Sequence, residues 1–305
     1  MTTLILRRLI LAIPTLFIVV SLTFLLMRWA PGNPFSNERK IPPEILAELE
    51  KQYDLNGTVT SQYLRYMGKL VHGDLSISTQ YRNRTVNDIL AQALPVSVLL
   101  GGLAYLLALM IGIPLGAYAA VRQDQKADRL AMLAALLGLS VPSFVLAPLL
   151  VMLFGVKLHW LPVAGWGSPD QIILPVFCLA IPFAAAIARL TRGSLLDVLN
   201  LDFIRTARAK GLPEEEVLYR HALKIAILPL ISYSGPALAG ILTGSLVIET
   251  LFDIPGIGRF FINSVLNRDP MMSAGVILVF SAFLLFMNLV SDVLISLLDR
   301  RVKIE

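Results

Sequence analysis

The sequence has 305 residues, of which 56% are hydrophobic and only 15% are charged, and its formal net charge is +5. Soluble globular proteins carry about 25% charged residues, so this composition excludes an ordinary soluble domain and indicates a chain that lies in lipid. The basic residues are scattered over separate loops, which argues against a surface that binds nucleic acid.

Six apolar stretches are each long enough to cross a bilayer as a helix, which takes about 20 residues. The first follows Arg7 and Arg8 as a signal peptide would, but it exceeds the roughly 7–15 apolar residues of a signal peptide, and no small-residue cleavage site follows it. The sequence therefore predicts an all-α, polytopic membrane protein with six transmembrane helices. They are predicted over Leu9–Met27, Val96–Val121, Leu130–Val156, Ile172–Leu190, Leu230–Phe252 and Met272–Leu298.

The long segment between the first two spans has the pattern of amphipathic helices. The first helix is predicted to begin at Pro42–Pro43 and to end before Asn56–Gly57, and a second ends at Gly73. Thr85 and Asp88 have the spacing of a capping box, which predicts a short helix leading into the second span. Residues 1–95 are therefore expected to form the first span and a helical segment on the outer face.

The basic residues also predict the orientation of the spans. With six spans both termini lie on one side of the membrane. Placing that side in the cytoplasm puts most basic residues in inner segments and leaves only Lys157, Arg259 and Arg268 in the two short outer loops. We therefore expect both termini in the cytoplasm, with residues 299–305 as a cytoplasmic tail.

The inner loop over residues 191–229 is far longer than the 2–8 residues of a simple helix connection. Asp202 is placed to cap a short helix over Phe203–Lys210, which Gly211 ends. Pro213 then begins a second helix. Apolar and basic residues on the first helix favour docking on a cytoplasmic partner. The alternative is a solvated basic loop that merely follows the positive-inside rule.

Three further features of the spans carry predictions. Glu249, near the outer end of the fifth span, is a candidate for an outer vestibule on the pathway, because ionisable groups in spans are costly. Asp292 is expected to form an ordinary ion pair near the inner surface, where Arg300 follows about two turns later. Gly240 and Gly244 form a G-x-x-x-G pair, which favours close packing with a helix of this chain or of a partner.

Enzymatic activity is not indicated. His72, His159 and His221 lie in separate segments, and the sequence contains no P-loop pattern G-x-x-x-x-G-K-[ST], so an ATP-driven function needs an ATPase on another polypeptide. An intramembrane enzyme would need paired carboxylates, a Ser–His pair or a metal cluster within the spans. An ion-coupled secondary transporter would favour inverted repeats and several buried ionisable groups. Neither pattern is visible.

A series of motifs resembles the permease subunits of bacterial peptide ABC importers. Their order and spacing cover nearly the whole chain. The segments Pro31-Gly-Asn-Pro-Phe35 and Val141-Pro-Ser-Phe-Val-Leu-Ala-Pro-Leu-Leu-Val151 are most similar to the oligopeptide branch of this family. The motifs that carry the resemblance to the family are Arg7-Arg-Leu-Ile-Leu-Ala-Ile-Pro14, Arg28-Trp-Ala-Pro-Gly32, His72-Gly-Asp-Leu75, Phe203-Ile-Arg-Thr-Ala-Arg-Ala-Lys-Gly211, Arg220-His-Ala-Leu-Lys224, Leu228-Pro229, Phe252-Asp-Ile-Pro-Gly-Ile-Gly258 and Asn267-Arg-Asp269.

The resemblance implies the type I ABC importer transmembrane fold, with the transporter domain over residues 96–298 and its coupling loop over residues 191–229. It also implies a homologous second permease, two cytoplasmic ATPases that hold ATP and Mg, and an extracytoplasmic substrate-binding protein, all at the bacterial inner membrane. The chain itself would bind no cofactor or metal and carry no catalytic residue. Oligopeptides are the expected substrates, with dipeptides, glutathione and nickel left open.

The same resemblance implies two sets of functional residues. The wider importer class has a glutamate where Arg205 stands here, so a salt bridge from that acid to the ATPase cannot be carried over. The coupling segment would be formed by Phe203, Arg205, Thr206, Ala207, Arg208, Lys210 and Gly211. The interface with the binding protein would be formed by Pro255, Gly256, Ile257 and Gly258.

Overall fold

The computed structural model describes residues 2–29, 42–53, 55–81 and 83–298, and within these ranges the chain is helical apart from loops and one isolated bridge between Ile77 and Thr85. The predicted tail over 299–305, Arg300 within it and the motif residues 31–35 lie outside the described residues. The helices are α1 Thr2–Trp29, α2 Pro43–Gln52, α3 Val59–Val71, α4 Val86–Val121, α5 Lys126–Ser140, α6 Ser143–Leu150, α7 Pro169–Leu199, α8 Asp202–Ala209, α9 Glu214–Glu216, α10 Leu223–Ala226, α11 Leu228–Leu251, α12 Ile257–Leu266 and α13 Pro270–Leu298. Two π-helical stretches, Val151–Lys157 and Val217–Ala222, continue α6 and α9.

Among the described residues, five helices are long and apolar enough to cross a membrane, and a bent pair makes a sixth if it counts as one span. These findings confirm an all-α polytopic protein. The third predicted span, Leu130–Val156, is not one straight helix, because its two halves are bent by 100°. The bend falls at Val141 and Pro142. A residue before proline avoids the helical region, and Val141 is accordingly extended (φ −91°, ψ 116°).

The bundle is centred on α4 and α7, which make the most extensive contact between any two helices described. Small residues permit this close approach. A Cβ atom at Gly112 would lie 2.7 Å from the Ala184 carbonyl oxygen, and one at Gly116 would lie 2.7 Å from Thr191 Cβ. The backbones of the two spans therefore touch. Close packing at this G-x-x-x-G pair was not predicted from the sequence.

The glycine pair that was singled out behaves differently. A Cβ at Gly240 would lie 3.5 Å from the Phe183 ring, an ordinary contact, and one at Gly244 would meet no described atom within 4 Å. Neither glycine therefore permits an especially close helix approach within the described structure, since a Cβ would fit at both positions. A contact of Gly244 with a partner subunit stays a prediction.

The outer segment follows the predicted helical pattern. Both amphipathic helices form as α2 and α3, and the Thr85–Asp88 capping box is present. The short helix expected after Thr85 is instead the first part of α4, which runs without interruption through Pro95. The α3 helix packs on the end of α1, where the Phe24 and Tyr66 rings stack with centroids 5.8 Å apart.

Candidate functional site

Residues 200–227 between α7 and α11, which are predicted to lie on the cytoplasmic side and are called the inner segment, are built on the helix α8. One face of α8 is buried, because Ile204 and Ala207 lie in an apolar cluster. The cluster joins α8 to the inner ends of two spans and to the following helix. Its other buried members are Ala117, Ala120, Leu195, Val198, Val217, Ala222 and Ala226.

The opposite face of α8 is exposed and basic. It carries Phe203, which is 38% exposed, together with Arg205, Thr206, Arg208 and Lys210. An exposed aromatic ring among cations is the composition expected of a protein-docking surface. Ala207 is the exception among the residues predicted for this surface. It is 6% exposed, so it anchors the helix instead of facing a partner.

Gly211 ends α8 as predicted. Its φ of +79° lies in the left-handed region that favours glycine. The predicted cap at the other end is wrong, because Leu201 occupies the N-cap position. Asp202 is instead the first helical residue, where its carboxylate favours the positive helix end. It lies 3.4 Å from Arg205 Nη1 and is almost fully exposed.

An ion pair fixes α8 relative to the second helix of the inner segment. Arg208 Nε lies 2.8 Å from Glu214 Oε1, and Arg208 Nη2 lies 3.2 Å from Glu214 Oε2. Such two-pronged pairing restricts geometry more than a single contact does. The second helix begins at Glu214 with Pro213 at its N-cap, close to the predicted start. Among the described residues, Arg208 therefore pairs with the next helix of the segment, whereas the only ion pair of Arg205 is the exposed contact with Asp202.

Polar contacts tie the inner segment and its neighbours to the spans. Ser194 Oγ in α7 donates to the Ala226 carbonyl oxygen at 2.8 Å. Arg192, also in α7, pairs with Asp128 in α5 through two contacts of 2.6 Å, and Asp128 is buried. The inner segment is thus joined to α4 and α7 by the apolar cluster and by Ser194, and α7 is joined to α5 by the Arg192–Asp128 pair.

The loop after α11 was predicted to form a surface on the outer side. In the structure it is buried within the subunit. Gly256, Ile257 and Gly258 are buried, and only Pro255 is partly exposed. The Ile257 amide donates to Ser97 Oγ of α4 at 2.9 Å. Three of the four predicted interface residues are therefore buried at the start of α12, and a role of this loop in docking the binding protein stays a prediction.

Glu249 organises this buried turn. Its side chain is fully buried, Oε1 accepts a hydrogen bond from Ser245 Oγ at 2.8 Å, and Oε2 accepts one from the Gly258 amide at 2.6 Å. A buried carboxylate needs such donors to offset its lost hydration. The prediction that Glu249 faces an open outer vestibule is corrected accordingly, since its oxygens are turned into the subunit.

A second buried acid, Asp269, joins the last outer loop to the turn before α4. It accepts from Ser78 Oγ and, at 3.1 Å, from the Met272 amide. Nearby, Gln80 Nε2 donates to the Asn267 carbonyl oxygen at 2.9 Å. In the sequence, Asp269 was indicated only by the Asn267-Arg-Asp269 motif, because the residues that this loop contacts, Ser78 and Gln80, lie far away in the chain.

Asp292 forms the ion pair expected of it, but with a different partner. Its Oδ2 lies 2.8 Å from Arg8 Nε, so the pair joins α13 to α1. This contact joins the N-terminal part of α1 to the C-terminal part of α13.

The exposed faces of the spans differ in composition. On α1 most exposed side chains are large and apolar, as at Ile13 and Phe17, which suits lipid, although Thr15 is exposed as well. On α11 the exposed residues include Ser232, Thr243 and Thr250. The hydroxyls of Thr243 and Thr250 donate to carbonyls one turn earlier, at 3.0 and 2.9 Å. A face with small hydroxyl residues suits another helix or water better than acyl chains.

No group of three potential metal ligands is found among the residues that the structure describes.

Comparison with known proteins identifies relatives over nearly the whole length. A family model described as "Binding-protein-dependent transport system inner membrane component" matches residues 112–304, and its N-terminal counterpart matches residues 1–101. The chain is 48% identical over 301 residues to the oligopeptide transport system permease protein OppB of Salmonella typhimurium, covering 98% of both chains. It is 40% identical over 291 residues to the dipeptide transport system permease protein DppB of Bacillus subtilis, covering 95% of this chain and 94% of the relative.

Solved structures give the same fold. A chain of the MetNI methionine ABC transporter, solved in inward-facing conformations, superposes with a TM-score of 0.60 at 15% identity. The match covers 70% of this chain and 97% of that chain. At this identity the likeness concerns the fold, which is that of a type I ABC importer transmembrane subunit.

Proposed function

The chain belongs to the family of binding-protein-dependent transport system inner membrane components, and we propose that it forms one half of the membrane pathway of an ATP-driven importer for oligopeptides. It is a multi-pass permease subunit, and the ATPase activity of such a transporter lies on partner subunits. The observation that carries the specific role of this chain is the exposed basic face of α8, held rigidly on the inner ends of the spans.

We assign the exposed residues of α8 to the docking of a cytoplasmic ATPase. Three features support this assignment, because they restrict the movement of α8 relative to its neighbours. They are the buried face of α8, the left-handed turn at Gly211 and the Arg208–Glu214 pair. ATP binding would close two such ATPases and push α8, and α4 and α7 would move with it. The pathway would then change from open to the inside to open to the outside.

The remaining partners follow from the same assembly. A homologous second permease would cover the exposed face of α11, where small residues such as Ser232 and Thr243 permit the close approach of another helix. A substrate-binding protein would deliver peptide at the outer face. Oligopeptides are favoured over dipeptides as the substrate, because the identity is 48% to the oligopeptide permease and 40% to the dipeptide permease.

Reconstitution tests this function directly. The chain, a second permease and two ATPases are placed in liposomes with a peptide-loaded binding protein, and uptake of labelled peptides of different lengths is measured. We expect uptake that requires ATP and is lost when the P-loop lysine of the ATPases is replaced. Uptake driven by an ion gradient without the ATPases would instead establish a secondary transporter. Uptake of dipeptides, glutathione or nickel alone would overturn the substrate class.

The orientation gives a separate prediction. Basic residues are concentrated in the segments assigned to the inside, including Arg205 and Arg208 of α8. A reporter fused after Glu305 is therefore expected in the cytoplasm, and one inserted near Asn56 outside. Labelling with a reagent that does not cross the membrane distinguishes the two. Finding both reporters on one side would contradict this topology.

A further inference from the structure

The helix α4 contacts both the inner segment and the buried turn around Glu249. At its inner end, Ala117 and Ala120 lie in the apolar cluster that buries one face of α8. Near its other end, the fully buried Ser97 contacts the start of α12. From Ser97 to Ala117 the helix rises about 30 Å, which is the thickness of the hydrocarbon core of a bilayer. One helix therefore connects the ATPase-docking side of the subunit to the turn before α12.

The part of α4 between these two contacts is supported by α7. Pro114 is the only proline between Ser97 and Ala117, and it leaves one helix carbonyl without its usual hydrogen bond. Gly112 and Gly116 lie on either side of this proline, and at both positions the α7 backbone would lie within 3 Å of an added Cβ. Because α7 supports α4 on both sides of Pro114, the two ends of α4 are expected to move as one body.

Ser97 makes two directional contacts with the buried turn. Its Oγ accepts a hydrogen bond from the Ile257 amide at 2.9 Å, and its hydroxyl donates to the Glu249 carboxylate. The site is tightly enclosed, since a Cβ at Gly256 would lie 2.6 Å from Ser97 Oγ and 2.3 Å from Glu249 Oε2. The serine thus joins α4 to α11 and to α12 at one point.

Apolar contacts also hold α12 on α4. Ile89 of α4 lies in one apolar cluster with Ile257 and Phe260 of α12. Apolar burial is non-directional, so it holds two helices together without fixing the position of one along the other. The hydrogen bond between Ser97 and the Ile257 amide supplies that position.

We propose that Ser97 is a positioning residue for transport, an inference that rests on the proposed function. When the ATPases displace α8, α4 moves as one body, and Ser97 passes this movement to the Ile257 amide and to Glu249. The start of α12 then follows α4 instead of sliding along it. Coupling between two sites is reciprocal, so docking of the loaded binding protein acts on the ATPases through the same contact.

Ser97→Ala tests this link, because it removes both hydrogen bonds without adding volume. We expect basal ATP hydrolysis and binding of the ATPases to stay at the wild-type level. Stimulation of hydrolysis by the loaded binding protein is expected to fall roughly fivefold, the lower end of the usual range for coupling between two sites. The matched control is Ser245→Ala. Ser245 is also fully buried and donates to Glu249, but both of its hydrogen bonds stay within α11, so this variant is expected to keep its stimulation.

A distance measurement tests the same link with Ser97 in place. Spin labels are attached through Ala91→Cys in α4 and Asn263→Cys in α12, two exposed positions, in a complex whose other subunits lack reactive cysteines. Cys178 is buried and stays unlabelled. When a non-hydrolysable ATP analogue is added, the distance between the labels is expected to stay constant with Ser97 and to shift or broaden with Ser97→Ala.

Three results would overturn the proposal. They are wild-type stimulation in Ser97→Ala, an equal loss of stimulation in Ser245→Ala, and a label distance that changes with the ATP analogue although Ser97 is present. Each of them, in a complex that imports peptide with ATP, would refute the role of Ser97 and leave the proposed function intact. A wild-type complex without ATP-dependent uptake would refute the proposed function instead.

Discussion

Replacing Gly211 by Val is expected to reduce peptide uptake and substrate-stimulated ATP hydrolysis together, to a small fraction of the wild-type rates. The φ of +79° at this position is unfavourable for a residue with a Cβ atom. A left-handed residue costs about 1–2 kcal/mol, which lowers the population of the native turn by roughly 5- to 30-fold. A Cβ there would meet no described atom within 4 Å, so this cost comes from the backbone and not from a collision.

The effect on transport follows from what the turn controls. It sets the direction of α8 relative to the helix that begins at Glu214, and α8 carries the exposed docking face. A distorted turn would present Arg205 and Phe203 to the ATPase at the wrong angle. The spans themselves are unchanged, so membrane insertion and pairing with the second permease should survive.

Gly73 offers a matched control for this strain. It ends α3, its φ is +76°, and a Cβ there also meets no described atom within 4 Å. Gly73→Val thus imposes a similar backbone cost in the segment assigned to the outer face and should keep ATPase stimulation near wild type. Stimulation by the loaded binding protein is measured in reconstituted vesicles for both variants. Full stimulation and full uptake by Gly211→Val would mean that α8 is not the coupling element.

The electrostatic part of docking is best examined at Arg205. This side chain is 72% exposed and has only a 3.4 Å contact with Asp202, so Arg205→Glu changes mainly the surface charge. We expect weaker coupling that is most evident at low salt, where screening is least. The same change at Arg208 would also break its pair with Glu214, and a loss of activity there would not distinguish docking from distortion of the segment.

The local elements of this fold could be predicted from sequence because their signals are local. Apolar length identified five of the spans, the Thr85–Asp88 spacing identified a capping box, and glycine identified the end of α8 at Gly211. Each of these signals concerns residues within a few positions of one another. These signals have three physical causes, which are the thickness of the bilayer, the unpaired amides at a helix start and the left-handed backbone at a helix end. None of them depends on which helix packs alongside.

Features set by packing between distant segments were missed or misplaced. Gly112–Gly116 and Gly240–Gly244 have the same spacing, but only the first pair meets another span closely, which depends on how α4 and α7 dock. Hydropathy does not report the direction of a helix, so the third apolar stretch was predicted as one span and the size of its bend, 100°, was not predicted. The resemblance transferred the motif around Gly256 but not its burial, which depends on Ser97 in another helix.

Gly258→Ala is expected to destabilise the outer end of the subunit strongly. A Cβ at Gly258 would lie 2.6 Å from Leu246 Cα and 2.7 Å from the Leu246 carbonyl oxygen. Backbone atoms of a span cannot turn aside as a side chain can, so α12 must shift. Overpacking of this kind costs about 1–3 kcal/mol. The shift would also draw the Gly258 amide away from Glu249 Oε2, and a buried acceptor that loses its donor costs about 1–3 kcal/mol more.

The measurement is thermal unfolding of the detergent-solubilised permease complex, with uptake recorded in parallel. Gly68→Ala in α3 is the control, because the residue is exposed and a Cβ there meets no described atom within 4 Å, and it should not lower the unfolding temperature. We expect Gly258→Ala to lower the unfolding temperature and the yield of folded complex, with uptake falling in proportion to that yield. A Gly258→Ala protein with wild-type stability but no uptake would contradict the buried role of this turn. With stability unchanged, the loss of uptake would be attributed to the exposed surface around the turn. That result would support docking of the binding protein at this loop.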